Sequence, residues 1–506
     1  MRRAWRGAFV IVTAAMLLTA GARGQDPIER IREGEIRDDL FTLAGDAMRG
    51  REAGTVDEMA ASVWLAERAR AVGLQPAGDN GTFFQFFPLE RMRVSTASVI
   101  TLGGKPLQMG RDVIVDAPIV ATVDAPVVTL AAETLTGPDV KPELKQNLTN
   151  WVLAVRYPAA RPAAAGAQAM RAWLRGLQKA VAVAAAAPAA IVAIVPEDAN
   201  EQWVRVAISL PRGTYALDPD GTAGPRQPPR GAPLLYVREA ALGGALAADA
   251  RLTASLFTDT FTYPSVNVVA KVPGRDPKLA GEYVLFSAHQ DHDGERYAVD
   301  GDAIWNGADD NATTAVALLA IGRAVSSSPG RRSSLFVWHG AEERGLMGSR
   351  WYVKHSTVPL KSIVAVLNGD MMGRNDPTTA ALLGVLPPHR NSPQLVEMAM
   401  AANQAVGFTV DHSWDDPQHR EGWYYRSDHL PYARAGIPAV FFSTLLHADY
   451  HTPFDNPDRI DVAKLTKMTR WMYATGRTVM EADAPPAFDP SFKLERCRDS
   501  TGTYCH

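Results

Sequence analysis

Five short stretches of the chain carry groups that bind metal ions or move protons. AHQDHDG holds His289, Asp291 and His292, GADDNATT holds Asp309 and Asp310, and GAEERGLMGS holds Glu342 and Glu343. NGDMMG holds Asp370 and DYHTPFDN holds His451. Taken singly, each has a plain role: a loop histidine is a surface group, Asp309 and Asp310 cap a helix starting near residue 312, and Asp370 belongs to a turn. Brought together they need a cation, because a cluster of unpaired carboxylates is costly without one. Two of these imidazoles with three of the carboxylates and no thiolate suit a catalytic zinc site that leaves room for water, with cobalt or manganese as substitutes. Five such residues are too many for one tetrahedral ion with an open position. One shared carboxylate gives each of two ions three protein ligands, a hydrolytic arrangement with the ions about 3.5–4 Å apart.

The elements that must position these groups follow from the apolar pattern. After residue 260 the sequence alternates strand, loop and helix. Strands are expected at 265–270, 283–287, 334–338, 363–367 and 439–442, and helices at 312–326, 392–405 and 462–480, the last capped by Asp461. Continuous apolar strands alternating with helices predict a three-layer α/β sandwich with a mostly parallel central sheet. Ligands of such sheets bind beyond the carboxyl ends of the strands, where four of the five stretches begin. Residues 26 to about 90 read as helical. From about 95 to 255 short β-like runs appear at 113–115, 127–130, 151–155, 191–195 and 204–208, with an alanine-rich helix around 180–190. The expected division is 25–95 and 256–485 for the catalytic part, with a smaller β-rich unit at 96–255 between them and a tail at 486–506.

The ordered set AHQDHDG, GADDNATT, GAEERGLMGS, NGDMMG and DYHTPFDN resembles metallopeptidase family twenty-eight, the co-catalytic zinc aminopeptidases with the zinc exopeptidase fold. The resemblance covers about 256–481 and touches MRGREAGT at 48–55, while 96–255 is similar in position and texture to the protease-associated domain inserted in many members. It implies that His289 and Asp370 hold one Zn2+, Glu343 and His451 the other, and Asp310 bridges them. Asp310 is favoured over Asp309 as the bridge, and Thr313-Thr314 replaces the family's common Ser-Gly without removing a ligand. Asp291 resembles the carboxylate that orients the His289 imidazole, whereas His292 and Asp293 match only in part and receive no role.

The reaction implied is peptide hydrolysis by a metal-bridging hydroxide. Glu342 resembles the general base that takes the water's proton and returns it to the leaving amine. Arg426 and Tyr450 match positions that contact substrate or the oxyanion in some members. The leading expectation is therefore an exported aminopeptidase acting on peptides. Alternatives on the same scaffold are a carboxypeptidase or dipeptidase, for which Arg374, Arg390, Arg420 and Arg426 offer cations, and the single-zinc glutaminyl cyclase. A non-enzymatic homologue would be expected to have lost ligands or the base. Without a G-x-S-x-G or an H-E-x-x-H segment, a serine hydrolase and a thermolysin-like protease are disfavoured.

The remaining features bound the setting. The start, MRRAWRGAFVIVTAAMLLTAGARGQ, has arginines before an apolar run and then A-x-A-spaced small residues, and reads as a secretory signal covering 1–24. The run is shorter than the roughly 20 residues a spanning helix needs, so no integral membrane segment is expected after cleavage, and the protein is expected in the periplasm or outside the cell. Its removal takes four arginines and no acid, leaving 48 basic residues against 55 acidic ones, a balance that points away from nucleic acid. Cys497 and Cys505 flank a glycine-containing turn and suit a local disulfide, which an exported chain keeps.

Overall fold

A computed structural model describes residues 26–130, 148–157, 188–217 and 226–494. The expected signal, the alanine-rich stretch through residue 187 and Cys497 with Cys505 lie outside the described residues.

The larger of two extended sheets has ten strands. Nine form its continuous path: β1 (Phe84–Val94), β2 (Thr214–Ala216), β3 (Thr258–Val272), β4 (Tyr283–His289), β5 (Ser333–His339), β6 (Ile363–Gly369), β7 (Thr379–Leu383), β8 (Thr409–Asp411) and β9 (Ala439–Ser443). Their order across the sheet is β8-β7-β9-β6-β4-β5-β3-β1-β2, and the four central strands, β9, β6, β4 and β5, run parallel. From β4 the chain goes to β5 on one side and then to β6 and β9 on the other. That reversal opens a crevice beyond the carboxyl end of β4. His289 ends β4 level with His339, and Ser287 is level with Asn368. Extending the second register brings Asp370 alongside His289.

Apolar strand residues alternate between two cores. Val268, Phe286, Phe336 and Trp338 face α1 (Glu33–Leu43), α2 (Val56–Ala71), α4 (Thr313–Ser327), α5 (Pro393–Val406) and α6 (Val462–Glu481). Val269, Leu285, Leu335 and Val337 face Tyr352 and Tyr432 on the opposite side. These strands are apolar on both faces because helices cover both. Helix α4 is buried almost all round, and residues such as Leu318, Leu319 and Ile321 each contribute about 1.5–3 kcal/mol on leaving water. It holds the loop in front of it, which carries Asp310, against the sheet.

The second large sheet has eight strands, all between Val99 and Leu256, with its own apolar clusters on both faces. Two expectations are corrected nearby. Residues 204–208 are not a strand but part of α3 (Asn200–Ser209), where Trp203, Val206 and Ala207 are buried at helical spacing, so period overrode the β-branched composition. The helical reading to residue 90 fails at β1, where Phe87 and Leu89 point inward and Phe86 and Pro88 outward, the period of two of a strand. Among the described residues no helix is long and apolar enough to cross a membrane.

Candidate metal centre

His289 is the last residue of β4 and is buried. Its Nδ1 lies 3.0 Å from the main-chain oxygen of Asp291, which fixes the ring and leaves Nε2 directed into the crevice. That Nε2 is 3.2 Å from Asp310 Oδ1 and 3.4 Å from Asp370 Oδ1. The Asp291 carboxylate stands 3.9 Å from Nδ1, so Asp291 orients the imidazole through its main chain rather than through the expected carboxylate. The carboxylate instead accepts the main-chain N–H groups of Glu342 at 2.9 Å and Glu343 at 3.3 Å.

Asp310 lies in the loop before α4, whose amides at Asp309 and Asp310 donate to the buried Asp455 carboxylate. Its two oxygens face opposite ways, Oδ1 toward His289 and Oδ2 toward His451 Nε2 at 3.0 Å. Asp309 turns elsewhere, its Oδ1 accepting the Gly373 N–H at 2.7 Å. This geometry separates the bridge candidate from its neighbour. Thr313 Oγ donates to the Asp309 carbonyl and takes no place among the metal-facing donors.

The paired glutamates follow β5. Ala341 adopts a left-handed conformation (φ 53°) and Glu342–Arg344 form a single 3-10 turn, so the alternation of the strand has ended before the pair begins. A Cβ at Gly340 would lie 2.4 Å from Glu58 Oε1 and 2.5 Å from the Val266 oxygen, which reserves that position for glycine. From this turn Glu343 Oε1 reaches to 3.2 Å from His451 Nε2 and 2.8 Å from His292 Nδ1. Glu342 Oε2 lies 3.9 Å from His289 Nε2. The neighbouring carboxylates thus serve different halves of the crevice.

Asp370 is fixed by a buried relay in which Ser287 donates to Asn368, Asn368 to Ser427 and Ser427 to Asp370 Oδ2, at 2.7, 2.8 and 2.7 Å. Arg51, in the segment MRGREAGT, is fully buried and donates to the carbonyls of Leu43, Gln290, Asn306 and Gly307. It joins the loop after β4 to the loop before α4. Asp293, paired with Arg344 and Arg212, turns its other oxygen to His451 Nδ1 at 3.7 Å. Arg51 and His292 lie in segments the sequence marks out, MRGREAGT and AHQDHDG, yet neither residue receives a role from the sequence.

The donor atoms fall into two groups, His292, Asp310, Glu343 and His451 in one and His289, Glu342 and Asp370 in the other. Burial opposes a charged His289 ring, yet Glu342, Asp370 and Asp310 lift its pKa well above the usual range. Burial pushes the Glu342 carboxyl up, with Asp428, Glu343 and Asp370 adding to the rise and His289 opposing it. His289 Nε2, His292 Nδ1, Glu343 Oε1 and Asp370 Oδ1 are buried with no hydrogen-bond partner among the described residues. Buried polar atoms left unpaired around an excess of carboxylates are what bound divalent cations satisfy. The residues fit zinc in donor type and in number.

At the rim, the Tyr450 ring stacks on His451 with centroids 4.0 Å apart, and Arg426 donates to the Tyr450 hydroxyl at 2.9 Å while lying over Trp423. Arg426 also faces Glu421 at 3.4 Å, and Arg374 pairs with Asp449 at 2.6 Å.

Residues 267–476 match the model of peptidase family M28. Within the curated relatives, aminopeptidase YwaD of Bacillus subtilis is 30% identical over 167 residues, 31% of this chain and 34% of that protein. A probable leucine aminopeptidase of Arthroderma otae is 27% identical over 215 residues, 40% of this chain and 54% of that protein. The chain thus spans about a third to a half of the length of these relatives. The fold extends further. The aminopeptidase of Aneurinibacillus sp. strain AM-1 superposes with a TM-score of 0.54 at 16% identity, over 93% of this chain and 98% of that one. The zinc aminopeptidase BSAP of Bacillus subtilis gives 0.56 at 17% identity, over 92% and 99%. At these identities the likeness is one of fold. The M28 span contains every residue of the two donor groups.

Proposed function

We propose that the protein is a zinc-dependent aminopeptidase that holds two ions and removes N-terminal residues from peptides. One observation carries this reading: Asp310 divides its two oxygens between His289 with Asp370 and His451 with Glu343, while Glu342 stands beside the first half. His289, Asp310 and Asp370 would hold one ion, and Asp310, Glu343 and His451 the other. Zinc bound there polarises a carbonyl and lowers the pKa of a water towards about 7. Glu342 takes the water's proton at its carboxylate and delivers it to the leaving amine. Its turn, held by Asp291, keeps the carboxylate facing the crevice. Tyr450 presents a hydroxyl whose oxygen already accepts from Arg426, so its own hydrogen is free for a developing oxyanion.

The names of the relatives, aminopeptidases in both cases, support the polarity. So does the engagement of Arg374 and Arg426 with acidic partners, which leaves neither free as a dedicated seat for a substrate carboxylate. Two donor groups, with the base kept, count against the single-zinc cyclase and against a binding-only homologue.

A panel of aminoacyl anilides and N-blocked peptides with free carboxyl ends tests the reading. Release from the aminoacyl set, abolished by a chelator and restored by zinc, is expected. Cleavage confined to the blocked set would overturn it.

A further inference from the structure

The sequence motifs leave His292 without a role, yet its imidazole is buried among the donors of the His451 half of the centre. Its ring is fully buried and packs edge-on to His451 with centroids 5.4 Å apart. It is pinned from behind by Gly307, a left-handed residue (φ 56°) at which a Cβ would fall 2.2 Å from the imidazole Cγ. Nδ1 lies 2.8 Å from Glu343 Oε1 and 4.0 Å from Asp310 Oδ2.

Although they lie 2.8 Å apart, neither His292 Nδ1 nor Glu343 Oε1 meets hydrogen-bond geometry with a partner among the described residues. Two ligand atoms this close without that geometry are placed to share a third partner such as a cation. His289 Nε2 and Asp370 Oδ1, 3.4 Å apart in the other half, share this signature. His292 Nε2 is also unpartnered, so without a bound cation the ring would be buried with both nitrogens unsatisfied.

We propose that His292 is a metal ligand through Nδ1, completing a position made with Asp310 Oδ2, Glu343 Oε1 and His451 Nε2. The proposal rests on the two-ion reading above. Around a tetrahedral zinc with bonds of about 2.0–2.2 Å, neighbouring donors lie roughly 3.3–3.6 Å apart. Four edges of the donor set here measure 2.8, 4.0, 3.2 and 3.0 Å and so bracket that separation. The two halves are then unequal. The His451 half has four protein donors, two of them imidazoles, and is closed in the manner of a structural site. The His289 half has three, His289, Asp310 and Asp370, and keeps an open position beside Glu342. The tighter ion anchors the centre, and the exchangeable, substrate-facing one belongs to the His289 half.

The test is a count of metal-bound imidazoles in the full chain loaded with cadmium-113 and labelled with nitrogen-15 in histidine. One-bond nitrogen–cadmium coupling is expected on three imidazole nitrogens, two of them to the same ion, and His292→Gln removes one of that pair. In chelator competition His292→Ala is expected to weaken one ion at least a hundredfold and leave the other unchanged. Two bound ions with coupling to only two imidazoles, and a proton on His292 Nδ1, would overturn the proposal while leaving the two-ion reading intact. Failure to bind two ions would overturn both. The unsubstituted protein decides the count, so the answer does not depend on the variants folding.

Discussion

The Asp291 carboxylate holds the turn of Glu342 by accepting its main-chain N–H at 2.9 Å, while the Asp291 main chain holds His289. One residue therefore sets the position of a metal-facing imidazole and of the adjacent carboxylate through different atoms. Asp291→Asn keeps the main-chain oxygen but presents an amide N–H₂ to one of the turn's amides. Metal content should stay at the unsubstituted level and kcat should fall by about 10–100-fold, the usual cost of disturbing a supporting contact. Metal analysis beside steady-state kinetics checks this. Selective loss of the His289-side ion would instead return the orienting role to the carboxylate.

How far this centre was legible in the sequence depended on whether a residue's role is written in its own neighbourhood. His289, Asp310, Glu343 and Asp370 lie at or soon after strand ends or before a helix, and the parallel topology brings them together whatever the loops do in detail. Arg51 was not legible as a support, because its four acceptors, at 43, 290, 306 and 307, are gathered only by the finished fold. His292 matched a motif only in part, and its place depends on a left-handed turn at Gly307. The same division explains α3 and β1, where local composition pointed one way and the face that had to be buried decided the other.

Glu58 gives the folded protein a pH dependence that can be isolated. Its buried carboxyl accepts from Ser265 behind the Gly340 turn, and burial, with Asp291 adding, pushes its pKa up to about 8. A carboxyl raised in the folded state binds more protons there than in the unfolded chain. Its contribution to stability is present at low pH and is lost as pH climbs from the ordinary range toward 8. Relative to the unsubstituted protein, Glu58→Gln should therefore gain stability with rising pH by up to about 1.4 kcal/mol per unit, levelling off above 8. Melting temperatures across that interval check it, and a difference that does not change with pH would show that Glu58 is ionised in the fold.

Tyr450→Phe separates the hydroxyl from the ring. The stack on His451 and the cation–π contact with Arg426 are kept, while the oxygen that accepts from Arg426 is removed. If the hydroxyl serves the transition state, kcat falls by about 10²–10³ with KM little changed. A variant with unaltered kcat would reduce Tyr450 to packing, and Arg426→Ala, which leaves the hydroxyl in place, should then be equally silent.

Glu342→Gln is the decisive substitution for the chemistry. Glutamine keeps the length and an acceptor oxygen but cannot take a proton at neutral pH, and His289, Asp310 and Asp370 remain to face an ion. Both ions should stay and kcat should fall by about 10²–10⁴-fold, the range of a lost general base. In the unsubstituted enzyme the base acts only when ionised, so activity is lost as pH falls through the Glu342 pKa. Burial moves that loss to higher pH than for an ordinary glutamate, although bound cations pull it back. The residual activity of the variant should lack this acid limb. Retention of the limb would assign the proton transfer to another group, and loss of an ion in proportion to activity would make Glu342 a ligand instead of a base.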